Sequence, residues 1–389
     1  MAVACLALFV ASCATPPAPS AKINLDEELN IDDAINRLGD SLARQFETTM
    51  PPPGAGGAGR NFAIDRVTDA RSGQTTAITQ DLRQRIFVSL GSKIAGAKAA
   101  MLDREGLGTA NFVVAGSLSN EPYKGEERRF RLQVSIADLK TGLITAHAAV
   151  WLKGVFDTTP DLFYRDSPIV PRDPVVAAQT ASARAAPGSK ADARYLDQLP
   201  TGAILNEAET AYNGGNFAEA GRLYDMAAAR PDGKTLRTYS GLYLTNTRLD
   251  RKRDSEAAFS GLLREGIANN ELSIRFLFKV GSTEFVEDPL HGPQYPMWLR
   301  QLAQSFWKAR DCVEISGHSS RTGSEELNDK LSAYRAEAVL RFMMLTEARL
   351  QSKIKPVGKG FRETIVGTGS DNASDAVDRR VEFRVVPCS

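Results

Sequence analysis

Between residues 272 and 385 the apolar residues recur at every second position, then every third or fourth, then every second again. Few folds satisfy that succession of periods. Ile274, Phe276 and Phe278 alternate with Arg275 and Lys279, which reads as a strand. Leu299, Leu302, Ala303 and Phe306 make one face of a helix. Val313 and Ile315 alternate with Glu314 and Ser316 in a second strand ending at Gly317-His318. Ser324 is a good helix N-cap, with Glu325 and Glu326 favourable in the first turn. The helix behind it is predicted to bury Leu327, Leu331, Tyr334, Ala338 and Phe342. A last strand turns Val381, Phe383 and Val385 inward and Glu382 and Arg384 outward. The order β-α-β-α-β-β over residues 271–389 predicts an α+β sandwich with helices on one face of a sheet.

Two further features belong to this region. Asn328, Ser332 and Arg335 stand at i, i+4 and i+7, so they share one helical face beside the apolar stripe. A fixed Arg there suits a small anionic ligand, because guanidinium meets carboxylate in a two-pronged geometry that Lys cannot copy. Cys312 opens the second strand and Cys388 follows the last. If those strands are antiparallel neighbours the two thiols meet at one end of the sheet, and a disulfide is expected.

Upstream, the chain of 389 residues has room for two or three domains. Ile31, Ile35, Leu38, Leu42 and Phe46 recur at helical spacing until Pro51-Pro52-Pro53-Gly54. Asn61 to Val67 reads as a strand, Thr75 to Leu90 as a helix, and Phe112 to Gly116 as a buried strand. Phe130, Leu132, Val134 and Ile136 alternate with polar residues, and the turn Asp138 to Gly142 leads into a partner strand, Leu143 to Leu152. Residues 24–166 are therefore predicted as an α/β domain with a β-hairpin. Residues 167–196 contain a stretch rich in Pro, Ala and Ser that reads as a flexible linker. Over 197–270, Ala208, Tyr212, Gly215, Phe217, Ala220, Tyr224, Ala227 and Pro231 stand at the spacing of a tetratricopeptide repeat. A looser second unit runs from Tyr239 to Leu262. Two units fall short of the roughly three that a free-standing array needs, so they should lean on a neighbouring domain.

Lys+Arg 48 against Asp+Glu 47 leaves almost no net charge, which argues against nucleic acid as a partner. No apolar stretch approaches the 20 or so residues of a spanning helix. The apolar run Ala2 to Ala11 is followed by Val10-Ala11-Ser12-Cys13 and a Pro-rich tether, and it resembles a lipobox, although residues 1–5 carry no Lys or Arg. The resemblance implies diacylation at Cys13, with residues 1–23 as signal and tether. Ala14 after the Cys implies sorting to the outer membrane, on its periplasmic face.

Four blocks in order then carry a more specific likeness. Gly317-His318-Ser319-Ser320, Leu327 to Ala336, Gly358-Lys359-Gly360-Phe361 and Asp378-Arg379-Arg380-Val381-Glu382 resemble the OmpA/MotB C-terminal domain of the peptidoglycan-associated lipoprotein type. That resemblance implies peptidoglycan as partner, through the diaminopimelate of its stem peptide. An Asp in the family's G-H-T-D loop takes the ligand's ammonium and the helix Arg takes its carboxylate. The matching positions are Ser320 and Arg335, with Thr322, Asn328 and Arg379 as supporting contacts. Ser320 replaces the Asp, a loss of about 1 kcal/mol or more, unless Asp378 or Asp329 restores the charge. The order of elements in residues 24–166 is similar to the small α/β domains of envelope lipoproteins such as LpoB, FlgO and CsgG.

His147, His291 and His318 lack metal-like neighbour spacing, and Gly358-Lys359-Gly360 precedes no βαβ unit, so no metal, cofactor or enzyme activity is expected. The expected function is a non-catalytic tether between outer membrane and wall. The alternative is an envelope scaffold or activator that recruits a wall-synthesis or secretion protein through residues 24–270.

Overall fold

A computed structural model describes residues 26–50, 59–125, 127–170, 174–270, 272–279, 281–365, 369–370, 375 and 378–388. Cys13, the tether and the Pro51 to Gly54 stop lie outside them. Strand β1 (Glu28–Leu29) and helix α1 (Ile31–Thr49) open the first unit, and Asn30 caps α1 by accepting from the Asp33 amide at 3.0 Å. There follow β2 (Asn61–Asp69), α2 (Ala77–Lys93), β3 (Lys98–Met101), α3 (Arg104–Thr109), β4 (Phe112–Pro122), β5 (Arg128–Asp138) and β6 (Ile144–Leu152). They form a mixed sheet in the order β1-β6-β5-β4-β2-β3, with β4, β5 and β6 antiparallel and the remaining pairs parallel. Helices α1 and α2 cover one face, where Phe46 meets Phe62 and Phe112 at ring separations of 5.1 and 4.9 Å.

Residues 167–196, expected as a flexible linker, include an ordered cover for the opposite face. Helix α4 (Leu162–Asp166) is followed by α5 (Pro174–Arg184), which packs on β4 and β5. Ala178 and Ala183 are buried there, and the Ser135 hydroxyl donates to the Ser182 carbonyl at 2.7 Å. The composition that suggested a linker has another physical use: Ala has the highest helix propensity, and small side chains let a helix lie close on a sheet. For the same reason Gln133 and Ser135, the polar side of β5, are buried.

Helices α6 (Ala193–Asn213), α7 (Phe217–Ala228), α8 (Leu236–Arg248) and α9 (Lys252–Ala268) each pack on the next. Small residues set the spacing: a Cβ at Gly241 would fall 2.1 Å from the Tyr224 ring, and one at Gly261 would fall 2.4 Å from the Tyr239 ring. These helices are joined to both neighbours. Toward the first sheet, Arg66 of β2 pairs with Glu209 of α6 at 3.3 Å, and Arg237 of α8 closes on the same carboxylate. Toward the C-terminus, Phe259 stacks on Trp298 at 5.3 Å, and the Trp298 indole donates to the Tyr243 hydroxyl at 3.1 Å.

The last unit runs β7 (Leu272–Ile274), α10 (Tyr295–Lys308), β8 (Cys312–Gly317), α11 (Glu325–Met344), β9 (Ile354–Gly358) and β10 (Val381–Val386). Its sheet order is β7-β10-β8-β9, with β10 antiparallel to both neighbours and β8 parallel to β9. The chain as a whole is α+β. Strand β7 stops at Ile274 rather than running through Phe278, because Arg275 turns inward. Its amide and guanidinium donate to the carbonyls of Pro168 and Tyr164, both at 2.8 Å. Cys312 and Cys388 are bonded to each other beside the Cys312–Val386 pair of the ladder.

Candidate functional site

The site begins with glycines. A Cβ at Gly317, the end of β8, would lie 2.0 Å from the Ser332 carbonyl oxygen, and one at Gly358 would lie 2.6 Å from that of Asp329. Only glycine lets α11 come this near the sheet. Gly360, at φ +55°, donates its amide to the Ser332 hydroxyl at 2.9 Å and so fixes the turn after β9 onto the helix.

This close approach shifts the buried face away from the one expected of α11, of which Ala338 is buried and Leu331 half-buried. Asn328, Ser332 and Arg335 are buried, whereas Leu327 is 61% exposed, Tyr334 53% exposed and Phe342 also open to solvent. Helix α11 therefore seats its polar stripe, with Ala336, Val339 and Met343, on the protein. Hydrophobic spacing alone misleads here because the contact is made by backbone against glycine.

Ser320, Thr322 and Asn328 are brought together. The Ser320 and Thr322 hydroxyls lie 3.3 Å apart, and the Asn328 amide donates to the carbonyls of Thr322 at 2.8 Å and Ser324 at 3.0 Å. The loop that follows His318 is thus tied to the first turn of α11. Ser320 is buried and Thr322 exposed. Arg335 lies two turns further on. Its Nε donates to the Ser282 carbonyl and its Nη2 to the Lys279 carbonyl, both at 3.2 Å, and its guanidinium sits 5.1 Å from the Phe278 ring centre. These three contacts fix the plane of the fork. Sequence reasoning missed Lys279 and Ser282 as partners of Arg335, since a backbone carbonyl leaves no mark in a sequence.

Arg379 is half-buried in the turn that leads into β10. The two carboxylates considered as replacements for the missing Asp are engaged elsewhere. Asp329 pairs with Arg362 at 2.7 Å, and the buried Asp378 accepts from the Ile365 amide at 2.5 Å. His318 is buried, and its amide donates to the Arg380 carbonyl at 3.0 Å. Burial holds the imidazole below its ordinary pKa, with the Glu382 carboxylate opposing that shift. No helix among the described residues is long and apolar enough to cross a membrane.

Two polar groupings therefore lie along α11: the loop of Ser320 and Thr322 tied to the helix by Asn328, and, two turns along, the buried Arg335 held by the carbonyls of Lys279 and Ser282. Residues 278–378 match the OmpA family, so the C-terminal part of this chain is an OmpA-family domain. Among solved structures, the chain is similar to the peptidoglycan-associated lipoprotein from Burkholderia pseudomallei, at 27% identity over 29% of this chain and 89% of that one, with a TM-score of 0.24. It is also similar to the cell wall anchor of the T6SS from Pseudomonas aeruginosa, at 24% identity over 30% and 80% of the two chains, with a TM-score of 0.25. The periplasmic domain of Helicobacter pylori MotB matches at 15% identity over 30% and 76%, with a TM-score of 0.25. No curated protein matches the chain.

Proposed function

We propose that this chain is a non-catalytic, lipid-anchored protein of the outer membrane that holds peptidoglycan through its OmpA-family domain. Cys13 carries the lipid, the domain faces the periplasm, and the ligand is the diaminopimelate of the stem peptide. The observation that carries the reading is the pose of Arg335. Its fork is already oriented by two carbonyls and an aromatic ring, so binding a carboxylate costs little side-chain ordering. Ser320, Thr322 and Asn328 form the neighbouring hydroxyl and amide surface for the ligand's ammonium and peptide groups. Arg379 is proposed as a further contact from the turn before β10. With Ser320 in place of an acidic residue, the ammonium meets a neutral acceptor, so affinity is expected to be modest.

Co-sedimentation of the full chain with purified sacculi tests this. The wild type is expected to pellet with the wall, and Arg335→Ala to remain mostly in solution. Ser320→Asp should strengthen binding up to about tenfold, the size of one charge-assisted hydrogen bond regained. A wild-type chain that stays in solution defeats the proposal. So does an Arg335→Ala chain that pellets equally well.

A further inference from the structure

His318 is 1% exposed, and neither of its ring nitrogens has a hydrogen-bond partner among the described residues. A polar group buried in that state costs free energy unless something else satisfies it. What it faces is acidic. Glu382 Oε2 lies 3.6 Å from His318 Nε2, and one donor atom each from His318, Glu363 and Glu382 fall within 4.8 Å of one another.

The three residues reach this point from separate elements. His318 follows β8, Glu363 stands in the turn after β9, and Glu382 is on β10, in register with Ser316. The β8–β10 ladder therefore fixes two donors, while Glu363 is exposed on a turn and leaves the cluster open to solvent.

We propose that His318, Glu363 and Glu382 bind a divalent first-row transition ion, for which zinc is the natural probe. One imidazole nitrogen and two carboxylates form a mixed nitrogen–oxygen set, which favours such ions over calcium or magnesium, whose sites are built from oxygen. Bonds of about 2.0–2.2 Å place tetrahedral ligand atoms about 3.3 Å apart, so the donors must close by about 1.5 Å. The exposed Glu363 side chain supplies most of that movement. Three protein ligands leave a fourth position for water.

Two cations compete for the same carboxylates. Arg380 Nε lies 2.7 Å from Glu382 Oε1, an oxygen that also accepts from the Ser273 hydroxyl, and Lys359 Nζ is 3.7 Å from Glu363 Oε1. Arg380 acts on the Glu382 oxygen other than the one nearest His318. Lys359 is the cation that zinc displaces.

The test is a calorimetric titration of zinc chloride into the metal-free full chain with the Cys312–Cys388 bond intact. One equivalent is expected to bind, at least about tenfold more weakly in Glu363→Gln, where the change is at an exposed turn and leaves the fold in place. His318→Gln should lose as much wherever circular dichroism shows it folded. A wild-type chain that binds no zinc overturns the proposal. Undiminished binding in Glu363→Gln also overturns it, because the zinc then sits elsewhere.

Discussion

At Gly317 the missing side chain decides how near α11 can lie to the sheet, and everything polar in the site depends on that distance. A methyl group there would meet the Ser332 carbonyl oxygen at 2.0 Å, and that oxygen is backbone, with no flexible side chain to give way. Gly317→Ala is therefore expected to destabilise the domain by about 2 kcal/mol or more and lower its melting temperature in a thermal scan. His291 gives a prediction in pH. Burial against Trp298 and Tyr243, and then the Arg275 charge, push its pKa down to about 4 against the weaker opposing pull of Asp288 and Asp166. The folded state holds the ring neutral while the unfolded chain protonates near the ordinary value of 6.5. Its contribution is therefore complete above about pH 6.5 and is lost as the pH falls toward 4, by up to about 3 kcal/mol. Urea titrations between pH 7 and 4 should show this slope flattened in His291→Gln. At this scale the sequence marks Asn328 and Arg335 by their spacing on one helical face, and both prove buried on that face. It was silent on the carbonyls of Lys279 and Ser282, and on the cluster of His318, Glu363 and Glu382, which three elements assemble.

Among the elements, α11 shows how a period can be read correctly and still be assigned in part to the wrong face. The spacing of Leu327, Leu331 and Tyr334 is helical, and α11 is a helix capped by Ser324. Yet close packing against Gly317 and Gly358 buries Ser332, and Arg335 is buried against Phe278 and the carbonyls of Lys279 and Ser282. The Ala-rich stretch taken for a linker holds a helix that seals the first sheet. The contact between β2, α6 and α8 is electrostatic. Burial alone would raise the Glu209 pKa, but the Arg237 and Arg66 guanidiniums outweigh it and hold the carboxyl below its ordinary value. Glu209→Ala leaves both guanidiniums buried against each other. It should cost about 3–5 kcal/mol, measured by denaturant unfolding, and loosen the first sheet from the helices. An unchanged unfolding midpoint would show that this network holds nothing together.

Across the whole molecule, the β-α-β-α-β-β order of the last unit is legible because β8, β10 and both long helices keep their own periods, whereas β9 shows no alternation of its own. The continuity of the core is not legible. Trp298 is claimed by α9 as much as by its own sheet, and sequence spacing cannot register a contact between Phe259 and Trp298. The Cys312–Cys388 bond closes a loop spanning 76 positions, and its loss is expected to destabilise the C-terminal unit by about 2–4 kcal/mol. Thermal melts with and without reductant measure that directly. The lipid at Cys13 and the oriented Arg335 together form the proposed link from membrane to wall, and the wall end can be tested without altering the protein. The decisive measurement is calorimetric titration of the full chain with two muropeptides that differ only at the third stem residue, diaminopimelate or lysine. The diaminopimelate form is expected to bind at least about tenfold more tightly, because only it carries the extra carboxylate for Arg335. Equal affinity for the two, or no binding of either, would contradict the proposed link.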